Sequence, residues 1–364
     1  MESEKIKLFP EELPSGKKFK VRRIRSLKRA RGLFSLALCV LIFALGFAFS
    51  EALKNGTLNL PEFFHSVNGT TGTSKVNNEE VPAPDDDVGK YDINTIYDFD
   101  YSLVKDGELA VIPLDLSLSE YGDTYVYNET SFNVDFEELL KKEDFLPAAV
   151  GTEEPLVLII HTHTSEAYME EGRISCSENE EYARSSNEEE NVVAVGKVIA
   201  DILNENGIKT LHITVAHDAE SYKDSYARSA ETVKYYLNKY PTIKYVFDVH
   251  RDSIVKSTGE IVRPVTVVDG EAVAQIMCVV GTDQVSASDY EWENNLSLAL
   301  SLRSSLNEKY TNMARGTCLR PSSYNQQLAP ASLLLEIGAG GNSLSEAKAA
   351  AKLVALELVE LIKG

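Results

Sequence analysis

Between Gly32 and Ser50 the chain reads GLFSLALCVLIFALGFAFS, an apolar run without a single charge. As a helix rising 1.5 Å per residue it spans roughly 28 Å, about the depth of a bilayer core. After this run the pattern changes twice. Residues 51–95, which include NGTTGTSKVNNEEVPAPDDD, have few apolar positions and predict a flexible spacer. Residues 96–150 carry short alternating runs, ELAVIPLDL and TYVYNETSFNVDF, and predict a small strand-rich extension, either separate or joined to the main sheet.

From residue 151 to 364 apolar runs alternate with helical patterns, the mark of an α/β domain with a mostly parallel sheet flanked by helices. The expected strands are PLVLII (155–160), KTLHITV (209–215), KYVFDV (244–249), AVAQIMCVVG (272–281) and SLLLEI (332–337). Val192, Val195, Ile199 and Ile202 mark one helix, and Leu296, Leu300 and Leu302 another. The last helix is the clearest: Leu344, Ala347, Ala351, Val354, Leu358 and Leu361 recur at steps of three and four, and Ser343 with Glu346 forms a capping box.

Charge sharpens the picture at both ends. Lys17, Lys18, Lys20, Arg22, Arg23, Arg25, Lys28, Arg29 and Arg31 crowd before the apolar run, and the first charge after it is Glu51. The positive-inside rule then leaves residues 1–31 in the cytoplasm, residues 32–50 as a transmembrane helix and the remainder outside the cell membrane. A retained anchor is favoured over a cleaved signal peptide, because a charged leader of about 31 residues is long for one. After Ser50 the chain holds 25 Lys and Arg against 52 Asp and Glu, which disfavours nucleic acid and anionic lipid as partners. Its four cysteines show no CxxC pair, so neither a disulfide framework nor a thiolate zinc site is indicated.

Three expected strands end in polar groups: LVLII runs into His161, His163 and Glu166, YVFDV into His250, Arg251 and Asp252, and LLLEI places Glu336 before a glycine-rich loop. In open α/β sheets ligands gather beyond the carboxyl ends of the strands. Two imidazoles and a carboxylate, with one position left open, are the donor set of a catalytic Zn2+ site. A further carboxylate would serve as general base. The bland reading of any one of these histidines is a hydrogen-bonded structural residue, as expected for His212 and His217. A carboxylate inside an apolar run at Glu336 costs several kcal/mol unless paired or functional. The acidic stretch 178–190 is expected to be a solvated loop.

The motifs HTHTSEAY (161–168), NVVAVGKVIADIL (191–203), SYKDSYARS (221–229), VFDVHRDS (246–253) and YNQQLAPASLLLEIGAGGNSLSEAKAAAKL (324–353) closely resemble the stage II sporulation protein P family, over roughly residues 125–364. The resemblance implies a peptidoglycan hydrolase of engulfment: a zinc-dependent N-acetylmuramoyl-L-alanine amidase that also cuts peptide cross-links. It also implies two partners, a lytic transglycosylase (stage II sporulation protein D) and a polytopic membrane protein (stage II sporulation protein M). Carried over by motif, His163 and His250 are zinc ligands and Glu336 the catalytic carboxylate. Read as an enzyme, the chain also offers Arg251, a basic hydrogen-bonding group, to hold substrate. The third ligand is Glu166 or Glu190, with Glu166 preferred. His161 competes with His163, since a period-two strand sends both to one face. A cell-wall-binding scaffold and another zinc hydrolase on the same fold are the alternatives.

Overall fold

The computed structural model describes residues 91–117, 126–141, 153–177, 184–285 and 290–364. The elements in chain order are β1 (Leu109–Leu114), β2 (Val126–Asn128), α1 (Phe136–Leu140), β3 (Val157–Ile160), β4 (Ser175–Cys176), α2 (Val192–Glu205), β5 (Thr210–His212), α3 (Ser225–Lys239), β6 (Tyr245–Asp252), β7 (Ile261–Val268), β8 (Glu271–Ala274), β9 (Ile276–Gly281), α4 (Trp292–Lys309), β10 (Thr317–Arg320), β11 (Ala331–Ala339) and α5 (Leu344–Lys363). The apolar run 32–50 and the spacer up to residue 90 lie outside the described residues. Among the described residues no helix is long and apolar enough to cross a membrane.

Among the described residues, seven strands form the main sheet in the order β2-β10-β9-β11-β6-β3-β5. Every neighbouring pair is parallel except β11 with β9. The mostly parallel α/β sheet read from the sequence is thus present. β3 and β6 are buried almost end to end, which explains why their sequences are near-continuous apolar runs rather than alternations. One sheet face packs Phe247, Leu333, Leu335, Ile337 and Val280 into the principal core with α2, α4 and α5. α5 starts where the capping box places it, with Ser343 accepting from the Glu346 N–H and Glu346 answering the Ser343 N–H.

A second sheet, β4-β1-β7-β8, corrects the strand expected over 272–281. That run breaks at Gln275: β8 belongs to the small sheet and β9 to the main one. The cause is chemical, because Gln275 is fully buried and its amide needs partners. It accepts from the Leu116 N–H at 2.7 Å and donates to Asp115 Oδ1 at 2.7 Å and Asn312 O at 2.6 Å. The extension expected at 96–150 is also shared out between the sheets. β1 pairs with β7, and β2 adds an edge to β10.

The glycine-rich loop after Glu336 serves the fold rather than substrate approach. Between the Glu336–His250 and Ala339–Asp252 pairs the register slips, and Gly338 takes φ +69°. A Cβ there would sit 2.8 Å from Asn342 Oδ1 and 2.9 Å from the Ala274 Cβ, so the slip requires glycine.

Candidate active site

β3, β6 and β11 are neighbours running in the same direction, so their carboxyl ends share one edge. The register sets Glu336 of β11 directly beside His250 of β6. Beyond Ile160 the chain leaves β3 in a turn, and that turn decides which histidine faces the edge.

His163 reaches it. Its ring lies 5.4 Å from that of His250, nearly perpendicular, and is stacked on Tyr222 at 3.9 Å with an 8° tilt. Its Nδ1 is 3.2 Å from Ser225 Oγ, which leaves Nε2 as the available nitrogen. His161 turns away under α2. Its Nδ1 faces Val249 O at 2.9 Å and its Nε2 faces His212 Nε2 at 2.8 Å. A carbonyl only accepts, so His161 carries its proton on Nδ1 and takes a hydrogen bond from His212 Nε2–H. Two strand-end histidines that alternation would send to one face therefore part because the strand has already ended.

His250 is held between two buried carboxylates. Its Nδ1 is 3.2 Å from Glu166 Oε2, and its Nε2 is 3.0 Å from Asp248 Oδ1, though poorly aligned for a hydrogen bond. Burial alone would lower the imidazole pKa, but the two anions outweigh it and hold it well above the ordinary value. Burial likewise opposes ionisation of Glu166, yet His250, Arg251 and His163 keep its carboxyl below the usual range. Asp248 also overcomes burial through His250 and through Thr162, whose N–H donates at 2.8 Å and hydroxyl at 2.6 Å, and falls to about 2.

Glu336 goes the other way. Burial and the charge of Asp252 push its carboxyl up to about 8, and its Oε2 has no hydrogen-bond partner among the described residues. A carboxyl that changes protonation near neutrality, beside an imidazole, is equipped to move a proton.

The remaining candidates separate cleanly. Glu190 is exposed and accepts from the Ser185 hydroxyl at 2.9 Å, whereas Glu166 is buried against His250. Arg251 is buried with its guanidinium turned to backbone: Nε donates to Ala167 O at 2.8 Å and Nη1 to Asp252 O at 3.2 Å. With its own N–H donating to Glu166 Oε2 at 3.2 Å, it fastens the Glu166 segment onto β6. His217 is structural, its Nδ1 on His161 O at 2.8 Å and its Nε2 on Thr232 Oγ1 at 2.9 Å. The sequence reading missed Asp248, two residues before His250 and so on its face of the strand. It also missed Tyr226, whose ring lies parallel to that of His250 at 6.5 Å.

The His161–His212 pair carries a prediction of its own. Burial and mutual repulsion lower His161 to about 3, and burial and Lys197 lower His212 to about 4, so both are neutral in the folded state. Unfolded histidines titrate near ~6.5. As pH falls below that value the unfolded chain takes up protons that the fold refuses, and stability drops until the folded values are reached. Between pH 7 and 5 the His212 share is about 1–2 kcal/mol. His212→Gln keeps a donor toward His161, so its urea midpoint should fall less over that interval than the parent's. Parallel pH profiles would refute the assignment.

Comparison with known proteins decides the family. The profile described as Stage II sporulation protein P (SpoIIP) matches residues 117–358, two thirds of the chain and every residue of the cluster. The chain belongs to the SpoIIP family. Stage II sporulation protein P of Bacillus subtilis strain 168 is 28% identical over 220 residues, covering 57% of this chain and 51% of that one; the chain thus spans about half the length of that relative. Solved structures similar to this SpoIIP member include three proteins. The CwlD amidase of Clostridioides difficile in complex with the GerS lipoprotein has 10% identity and a TM-score of 0.34, with 58% of this chain and 98% of that one covered. The N-acetylmuramyl-L-alanine amidase Ami1 of Mycobacterium abscessus has 14% identity and a TM-score of 0.33, with coverage of 58% and 99%. The N-acetylmuramoyl-L-alanine amidase AmiC2 of Nostoc punctiforme has 14% identity and a TM-score of 0.32, with coverage of 58% and 97%.

Proposed function

We propose that this SpoIIP-family chain is a sporulation peptidoglycan hydrolase that cleaves the N-acetylmuramoyl-L-alanine amide with the help of Zn2+, and peptide cross-links as well. The observation that supports this reading best is the meeting of His163, Glu166 and His250 at one strand edge with Glu336 next to His250.

Among the described residues no group of three or more His, Cys, Asp and Glu is already drawn together as a finished metal cage. The donors nevertheless fit. The 3.2 Å between His250 Nδ1 and Glu166 Oε2 is close to the roughly 3.3 Å edge of a tetrahedron with bonds near 2.0–2.1 Å. His163 contributes a neutral imidazole, lowered to about 4 chiefly by burial. His163, His250 and Glu166 would hold the ion. Asp248 behind His250 is the outer carboxylate that fixes a ligating ring. Zinc would supply Lewis-acid polarisation of the amide carbonyl and an attacking water of lowered pKa.

The chain's own residues do the rest. Glu336, as the carboxylate, takes a proton from the attacking water and returns it to the departing amine, a role its register beside His250 supports. Tyr222, stacked on His163 and more than half exposed, presents an aromatic face where a sugar or peptide can lie. The uncharged run 32–50 and its basic flank support a single-pass anchor that keeps this site outside the cytoplasm. The family likeness supports, as partners, a lytic transglycosylase (stage II sporulation protein D) and stage II sporulation protein M.

Mass spectrometry of muropeptides released by the detergent-solubilised full chain tests the proposal. Free muramic acid lactyl ends paired with free L-alanine amino ends, lost on chelation and regained with zinc, are the expected products. Binding without any release would favour a scaffold, and deacetylated sugars another zinc hydrolase.

A further inference from the structure

Across the sheet from Glu336 lies an arginine that the reaction described above does not use. Between the Ile276–Ala314 bridge and the Val279–Cys318 pair, β9 advances three residues while the chain entering β10 advances four. The extra residue is a bulge, a device that re-aims a side chain. Here it sends Arg315 over the same face as Glu336, where Nη1 donates to Asp252 Oδ2 at 2.8 Å. Arg315 is 6% exposed, and its Nε and Nη2 are sealed from solvent with no hydrogen-bond partner among the described residues.

Those two nitrogens are not an arbitrary pair. Nε–H and Nη2–H share one edge of the guanidinium plane, the fork that matches both oxygens of a carboxylate, while Nη1 lies outside that fork. Asp252 therefore fixes the group by its other end and leaves the enclosed fork without a partner among the described residues. A fixed charge that is buried and half-satisfied is costly unless a ligand completes it. The charge of Arg315 is felt at Glu336, and Asp252 stands two residues beyond His250 on β6, about 7 Å along the strand. An acid held in the fork would thus lie one or two residues of extended peptide from the bond that Glu336 and His250 address.

We propose that Arg315 is a specificity residue that grips a free carboxylate on the peptide side of the substrate, on the residue following L-alanine. This rests on the peptidoglycan reading and adds to it the chemical form of wall the enzyme accepts: the acid, not the amide. In a chain so acidic after Ser50, an enclosed guanidinium is a selective welcome for one anion rather than a general attraction.

The test uses two soluble muramoyl-L-alanyl peptides, one with the free carboxylate on that residue and one with a carboxamide in its place. Their dissociation constants are measured by calorimetry on the full-length chain carrying Glu336→Gln to stop turnover, then with Arg315→Gln or Arg315→Lys added. The acid should bind about 10- to 100-fold tighter than the amide in the Arg315 chain. That ratio should fall to near 1 with Gln and to a few-fold with Lys, which keeps the charge beside Asp252 but loses the fork. A ratio near 1 at the start, a ratio unchanged in both variants, or no binding of either peptide overturns the proposal. If Arg315→Gln fails to fold, Arg315→Lys decides. Absence of cleavage by the parent chain with the binding ratio intact would refute the hydrolase and leave the carboxylate subsite standing.

Discussion

Glu336→Gln is expected to lower muropeptide release by about 10²- to 10⁴-fold while zinc content and peptidoglycan binding stay as they were. Gln is nearly isosteric with Glu, and the register that sets residue 336 beside His250 is made by backbone pairs that the change does not touch. What disappears is the proton-carrying oxygen. The same change removes a buried carboxyl pushed up to about 8 by burial and Asp252, so no charge pair is broken and the fold should hold. Product chromatography alongside metal analysis by mass spectrometry gives the answer. Zinc falling together with activity would make Glu336 a ligand. Normal turnover would make it structural, with Glu166 the next base to examine.

The second large effect separates the two histidines proposed to hold the metal. His250→Ala should destabilise the apo-protein by about 3–5 kcal/mol, because it leaves Glu166 and Asp248, both buried, facing each other without the cation between them. His163→Ala should instead keep the fold and lose zinc. Its neighbours are the Tyr222 ring and the Ser225 hydroxyl, and no buried charge depends on it for its only compensation. Urea midpoints and zinc stoichiometry of the two chains, measured side by side, check this. Equal destabilisation, or zinc retained after His163→Ala, would break the assignment. His161→Ala, with its ring engaged by Val249 and His212, should leave zinc in place.

Much of this was legible in the sequence because it rests on short-range rules. Apolar runs gave β3, β6 and β11, the three strands that carry the cluster, and a capping box gave the start of α5. Helix α3 escaped because two of its four buried positions are Ser225 and Ser229, so it shows no apolar stripe. Its loss from the reading cost Ser225 and Tyr226 as site residues. Gln275 broke an apparent strand because one polar residue within an apolar run does not announce which sheet each half will join. Arg251 reads as a substrate contact because it follows His250, yet a strand sends neighbours to opposite faces, and its guanidinium donates to the carbonyls of Ala167 and Asp252. Arg315 is beyond any local rule, since a bulge set by how the chain entering β10 pairs with β9 decides where it points.

The place of β11 in the sheet also governs when the cluster can exist. It lies between β6 and β9, which do not pair with each other, and it is the last strand to be made. A chain emerging from its N-terminus holds two unjoined half-sheets until the residues after Pro330 arrive. His163, Glu166 and His250 belong to one half and Arg315 to the other, and the carboxyl of Glu336 comes with the strand that closes the gap. Non-local closure of this kind is slow compared with forming the helices around it. A chain stalled, clipped or still emerging therefore lacks Glu336 beside His250, and the whole cluster arrives in a single event with the completed sheet.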